Sequence, residues 1–116
     1  MKFEPTAVTR ALQKSWSSST ASQWTKEKPA AGQYNVTALL VCERFGGQFL
    51  KTPLSAVDHF YNRVGGCRYE FTDSQFDEPI TYLDLPATQT DAEHGATATQ
   101  LAALWAAFGQ HYGPSV

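Results

Sequence analysis

The sequence predicts an α+β domain, with a buried central helix packed on a small antiparallel sheet and flanking helices at the N- and C-terminal ends. Three observations predict it. Residues 33–45 are apolar on nearly every side, with Val36, Leu39, Leu40, Val41 and Cys42, which is the pattern of a helix enclosed by other elements. Beyond Gly46–Gly47 the chain breaks into short segments rich in β-branched and aromatic residues, divided by Pro53, Gly65–Gly66 and Pro79, as strands are. Near both ends, apolar residues return at helical spacing. Helices and strands segregated along a chain in this order make an α+β fold.

Taken in order, residues 5–16, PTAVTRALQKSW, put Ala7, Val8, Ala11, Leu12 and Trp16 on one helical face. Pro5 suits the first turn, where its missing N–H is not needed. SSSTASQW supplies hydroxyl caps for a short turn that carries Trp24 inward. KEKPAAG is a loop, broken at Pro29 and Gly32. The buried helix follows from Gln33 to Phe45. QFLKT, HFYNRV and CRYEFTD then predict three strands, with Gly65–Gly66 as the hairpin turn between the last two. ITYLDL predicts a fourth strand, and PATQTDAEHGAT a polar loop. TQLAALWAAFG predicts a closing helix with Leu101, Leu104, Trp105 and Phe108 inward and Gly109 as its cap.

Length and composition bound the function. A chain of 116 residues fits one domain, residues 1–116. Hydrophobic residues at 42% and aromatics at 13% supply a core that a disordered chain lacks. Nine basic and eleven acidic residues are mixed, for a net charge of −2, and form no basic stripe, so nucleic acid is not an expected partner. No apolar run approaches the length of a membrane span. In MKFEPTAVTR, Glu4 and Pro5 stand where a signal peptide needs apolar residues. A cytoplasmic protein, away from membranes, is expected. Cys42 and Cys67 lack CxxC spacing, and His59, His94 and His111 fall at no ligand spacing, so no metal or other cofactor is expected. Cys42 reads as a small buried hydrophobe.

Three segments carry candidate chemistry. Gly32-Gln33-Tyr34 leads into the buried helix, whose N-terminal field would lower a thiol pKa and favour an anion. Gln33 could give an amide N–H to a developing oxyanion. DHFYN presents His59 on a strand, with Asn62 following. YEFTDSQF interleaves Glu70, Thr72, Asp73 and Gln75 with aromatics. A nucleophile on a helix, a histidine on one strand and an orienting acid on the next is the layout of papain-type cysteine proteases.

The strings GQYNVTALLV, FGGQFL, HFYN and EFTDSQF resemble the YunG-like family, whose members read NP-x-x-GQC-x-VTALVV, FGGEIL, HYYN or HFYN, and DLT or DFT followed by x-x-QF. The matches keep their order over residues 32–76, and WSSSTASQW extends the similarity toward the N-terminus. The resemblance implies a papain-like hydrolase fold with a Cys, His and Asp triad. Carried over by position, it places Tyr34 at the nucleophile, His59 at the base, Glu70 at the orienting acid and Gln33 at the oxyanion hole. Glu70 is one methylene longer than the aspartate and demands a backbone adjustment. Tyr34 is the graver departure, because a phenol with a pKa of about 10 is a poor acyl acceptor. Cys42 cannot replace the lost thiol, since eight residues of helix put it ~12 Å away. The resemblance therefore implies a catalytically degenerate papain-like domain that binds or inhibits a protein partner. The alternative is a residual hydrolase or amidase acting on a peptide or amide.

Overall fold

A computed structural model describes residues 3–54 and 57–112. Pro5 opens the first helix, α1, Pro5–Ser15, which buries Val8, Ala11 and Leu12. Ala7, expected on the same face, is exposed. Trp16 follows the helix in an extended conformation, and its buried indole N–H donates to the Thr37 hydroxyl at 3.0 Å. Serine and threonine turns then return the chain past a half-buried Trp24.

The central helix α2, Tyr34–Phe45, begins one residue later than the sequence suggests, with Gln33 as its N-cap residue. Asn35, Val36, Thr37, Ala38, Leu39, Leu40 and Val41 are all buried, so the unbroken apolar run does correspond to an enclosed helix. Cys42 is a correction: it is half-buried, because it lies where α2 emerges toward a surface depression shared with Glu43 and Phe49. Gly47 then turns the chain at a φ of 93°. A Cβ there would lie 2.2 Å from the Arg63 carbonyl oxygen, so the close pass between helix and sheet requires glycine.

Strands β1 (Gln48–Pro53), β2 (Asp58–Val64), β3 (Cys67–Tyr69) and β4 (Leu85–Ala87) form one sheet in the order β3-β2-β1-β4. Every pairing is antiparallel. Gly65 and Gly66 both take positive φ, at 59° and 84°, as a tight hairpin between twisted strands needs. On β2, Phe60 and Asn62 face α2, where Asn62 donates to the Ala38 carbonyl at 3.1 Å.

The fourth strand is shifted from 80–85 to 85–87. Residues 80–84 cross Thr52 instead of pairing along β1: the Thr52 hydroxyl donates to the Thr81 carbonyl at 3.0 Å and accepts from the Leu83 amide at 3.1 Å. Asp84 bends the chain at a φ of 53°, held by Tyr61 and Arg68, and pairing with β1 begins only after that bend. The expected polar loop contains a short helix, α3, Gln89–Glu93, started by a capping box between Thr88 and Asp91. The last helix, α4, Ala98–Tyr112, runs through Gly109, where Phe108 and Tyr112 stack at 5.0 Å. Trp105, expected inward, is 37% exposed and lies beneath the Arg44 guanidinium.

Two apolar clusters meet at α2. Val8, Leu12, Trp16, Leu40, Leu104 and Phe108 join it to α1 and α4. Ala38, Leu39, Phe60 and Ala92 join it to the sheet and α3. The expected domain of residues 1–116 and the reading of the N-terminal stretch also take in residues 1–2, 55–56 or 113–116, which lie outside the described residues. Among the described residues, no helix is long and apolar enough to cross a membrane.

Candidate functional site

Gly32 turns the chain into α2 at a φ of 73°, against the Gln23 side chain. Gln33 is completely buried. Its side-chain oxygen accepts from the Thr20 hydroxyl at 2.8 Å, while its amide nitrogen has no partner among the described residues. Tyr34, the first residue of α2, is half-buried, and its ring lies 4.9 Å from that of His59. Burial pushes the Tyr34 phenol above its ordinary pKa of 10.0, because desolvation disfavours the phenolate.

His59, on β2 opposite Thr52, is fully enclosed. Its Nε2 lies 2.5 Å from Glu70 Oε2, and its Nδ1 has no partner among the described residues. Glu70 stands one residue past β3, not on the strand as expected. Ending the strand at Tyr69 frees the backbone to turn, and the longer side chain reaches His59 from there. Its other oxygen accepts from the Thr72 amide at 2.8 Å and hydroxyl at 2.9 Å. Burial pushes the Glu70 carboxyl up, but His59 and the two Thr72 donors outweigh it and hold the group below its ordinary range.

A model described as YunG protein matches residues 4–113. The chain belongs to the YunG family. It is 40% identical over 100 residues to a protein of Bacillus subtilis (strain 168) described as uncharacterized protein YunG, covering 86% of this chain and 87% of that one. No solved structure matches it. The span matched to the YunG family includes Gln33, Tyr34, His59 and Glu70.

Within this YunG-family chain the sequence-predicted residues come together: Gln33 and Tyr34 are neighbours on the chain, Tyr34 packs on His59, and His59 holds Glu70. Asn62 does not join them, since its side chain is turned to α2. Asp73 lies on an exposed 3-10 turn, and Gln75 bonds the Thr72 carbonyl. His94 and His111 are exposed on other elements. Among the described residues no three His, Cys, Asp or Glu gather as a metal site.

Sequence reasoning missed Phe76 and Tyr82. The Phe76 ring meets His59 edge-on at 5.0 Å, and the Tyr82 hydroxyl donates to Glu70 at 3.1 Å. Burial, followed by the Glu70 charge, raises the Tyr82 pKa, so Tyr82 remains a donor. Reading ITYLDL as a strand hid this role; the only signal was a tyrosine among residues that otherwise alternate. Two depressions flank Tyr34. One, of about 120 Å³, lies against Thr20, Gly32 and the first turn of α2. The other, of about 280 Å³, lies toward Asp58, Phe60 and His94.

Proposed function

We propose that this YunG-family chain is a catalytically degenerate papain-like domain that binds or inhibits another protein in the cytoplasm. The observation that carries the reading is the position of Tyr34, at the start of α2 with its ring 4.9 Å from His59. In a papain-like thiol hydrolase, the nucleophile sits at a helix N-terminus and a histidine, oriented by a third group, takes its proton. The phenol at this position keeps its proton at neutral pH, and burial moves it further from ionisation. Its ring also fills space that an acyl group would occupy. The orienting half of such a site is intact, with His59 bound to Glu70 and Glu70 bound to Thr72 and Tyr82. A buried histidine and acid without a usable nucleophile suit a cleft used for recognition.

The same intact pair favours a second reading, a residual hydrolase or amidase acting on a peptide or amide. Turnover of activated ester and amide substrates by the unmodified chain separates the two. The binding reading predicts hydrolysis no faster than buffer. Hydrolysis that is lost in a His59→Ala variant contradicts it.

A further inference from the structure

We propose that Phe76 is a gate over His59, which opens when its ring swings into a depression that it also borders. His59 has no solvent exposure, so a solute meets it after one of its neighbours has moved. Three rings pack on it: Tyr34 at 4.9 Å, Phe76 at 5.0 Å and Tyr61 at 6.2 Å. Two of the three are well held. Tyr61 is buried on β2, and its hydroxyl donates to Asp84 at 2.9 Å. Tyr34 stands on the backbone of α2.

Phe76 is held least. It is half-buried and follows the 3-10 turn, Asp73–Gln75, in an extended conformation. Its amide donates to the Asp73 carbonyl at 3.1 Å, and the chain is next fastened at Thr81, whose carbonyl accepts from the Thr52 hydroxyl. Between these points the backbone of residues 77–80 makes no hydrogen bond to a described residue. Asp77 meets Lys28 at 3.4 Å, but with the Asp77 side chain 94% exposed such an ion pair holds little. A segment with so few backbone bonds opens at far lower cost than the core.

The same segment leaves the ring room to move. Phe76, Ile80 and Tyr82 are among the residues lining a depression of about 340 Å³. Phe76 therefore has His59 as one neighbour and open space as another, where a ring enclosed by a close-packed interior would be locked in one rotamer. Tyr82 lines the same space but is tied to Glu70 by its hydroxyl, and residues 81–84 are pinned by Thr52, Tyr61 and Arg68. The swing thus uncovers His59 while its bond to Glu70 is kept. This inference goes beyond the protein-binding reading and does not depend on it, since control of access to His59 serves recognition and turnover alike.

The test is the rate at which diethyl pyrocarbonate labels each histidine of the full chain in mildly alkaline buffer, read by peptide mass spectrometry. His94 and His111 are exposed and serve as references. His59 should label more slowly than either, yet measurably in the native state. Phe76→Ala should speed His59 labelling at least about twofold, because an aromatic pair is worth a factor of about two to ten. Ile80→Phe narrows the space that receives the ring and should slow it. Leu40→Ala weakens the whole fold and should leave the His59 rate unchanged, because the opening is local. The rates at His94 and His111 should hold throughout. An unchanged His59 rate in Phe76→Ala, or no slowing in Ile80→Phe, overturns the gate. So does a rise in Leu40→Ala, which would be about thirtyfold or more if His59 were reached through global unfolding. Hydrolysis by the unmodified chain would remove the binding reading and leave these expected rates as they are.

Discussion

The cluster joining α1, α2 and α4 and the cluster around His59 are both centred on buried side chains, but they are built by opposite rules. The first is aliphatic and aromatic, with Val8, Leu12, Leu40, Leu104 and Phe108 at 0% exposure. Its indole N–H from Trp16 is satisfied by Thr37, while that of Trp24, packed against it, has no partner among the described residues. Burial of this kind stabilises directly, at about 25 cal/mol per Å² of apolar surface. The second holds His59, Glu70 and Thr72, with Gln33 buried next to Tyr34 in the chain, groups whose burial costs free energy unless each is paired. Glu70 is fully paired, whereas Gln33 and His59 each keep a nitrogen without a partner among the described residues. Stability explains the first cluster and leaves the second without a reason, which is why the second is the candidate site.

The largest effect is expected in the apolar cluster. Leu40→Ala should cost about 2–5 kcal/mol in urea unfolding, the transfer loss plus the cavity left behind. A loss near zero would place α2 at the surface and remove the contrast. Glu70→Gln should cost less at neutral pH, because the amide keeps the shape and can still accept from Thr72. Its signature is the pH dependence. The folded Glu70 titrates below its ordinary 4.5, so its contribution is complete above that value and disappears as the pH falls from there through the lower folded value. The stability curves of the wild-type chain and Glu70→Gln should therefore converge in acid. Curves that separate further in acid would contradict the pairing. The smallest effect has the opposite sign. Gly109→Ala should stabilise by about 0.4–1 kcal/mol, since an alanine fits a helix interior and restricts the unfolded chain. Nothing lies within 4 Å of the added Cβ, and a loss of stability would show that α4 depends on glycine there.

The same contrast decides what the sequence revealed. The apolar helices and the Gly65–Gly66 hairpin are written locally, in period and turn chemistry, and Tyr34, His59 and Glu70 stood out by motif. Features that depend on distant partners were illegible. Leu85-Pro86-Ala87 becomes a strand by pairing with β1, and residues 80–84 are diverted by the Thr52 hydroxyl. Tyr82 meets Glu70 only because that diversion carries it there, and Phe76 meets His59 from the end of the 3-10 turn, Asp73–Gln75. Thr88 and Asp91 did carry a readable cap signal, but a five-residue helix is too short for period to reveal. Trp105 matched the helical spacing yet lies outward, because spacing fixes a face and not the depth at which its edge is covered.

The most direct test of the central claim, that Tyr34 occupies a lost nucleophile position, is the alkylation rate of a Tyr34→Cys variant at neutral pH. The new thiol would begin α2 beside His59, where the helix field and the imidazole lower its pKa from about 8.5. The two native thiols serve as internal references: Cys67 is exposed, and Cys42 is half-buried with its pKa raised by burial. The account predicts labelling at position 34 faster than at Cys67, and a clear fall in that rate when His59→Ala is added. Labelling at position 34 that is slower than at Cys67 and unchanged by His59→Ala would contradict it.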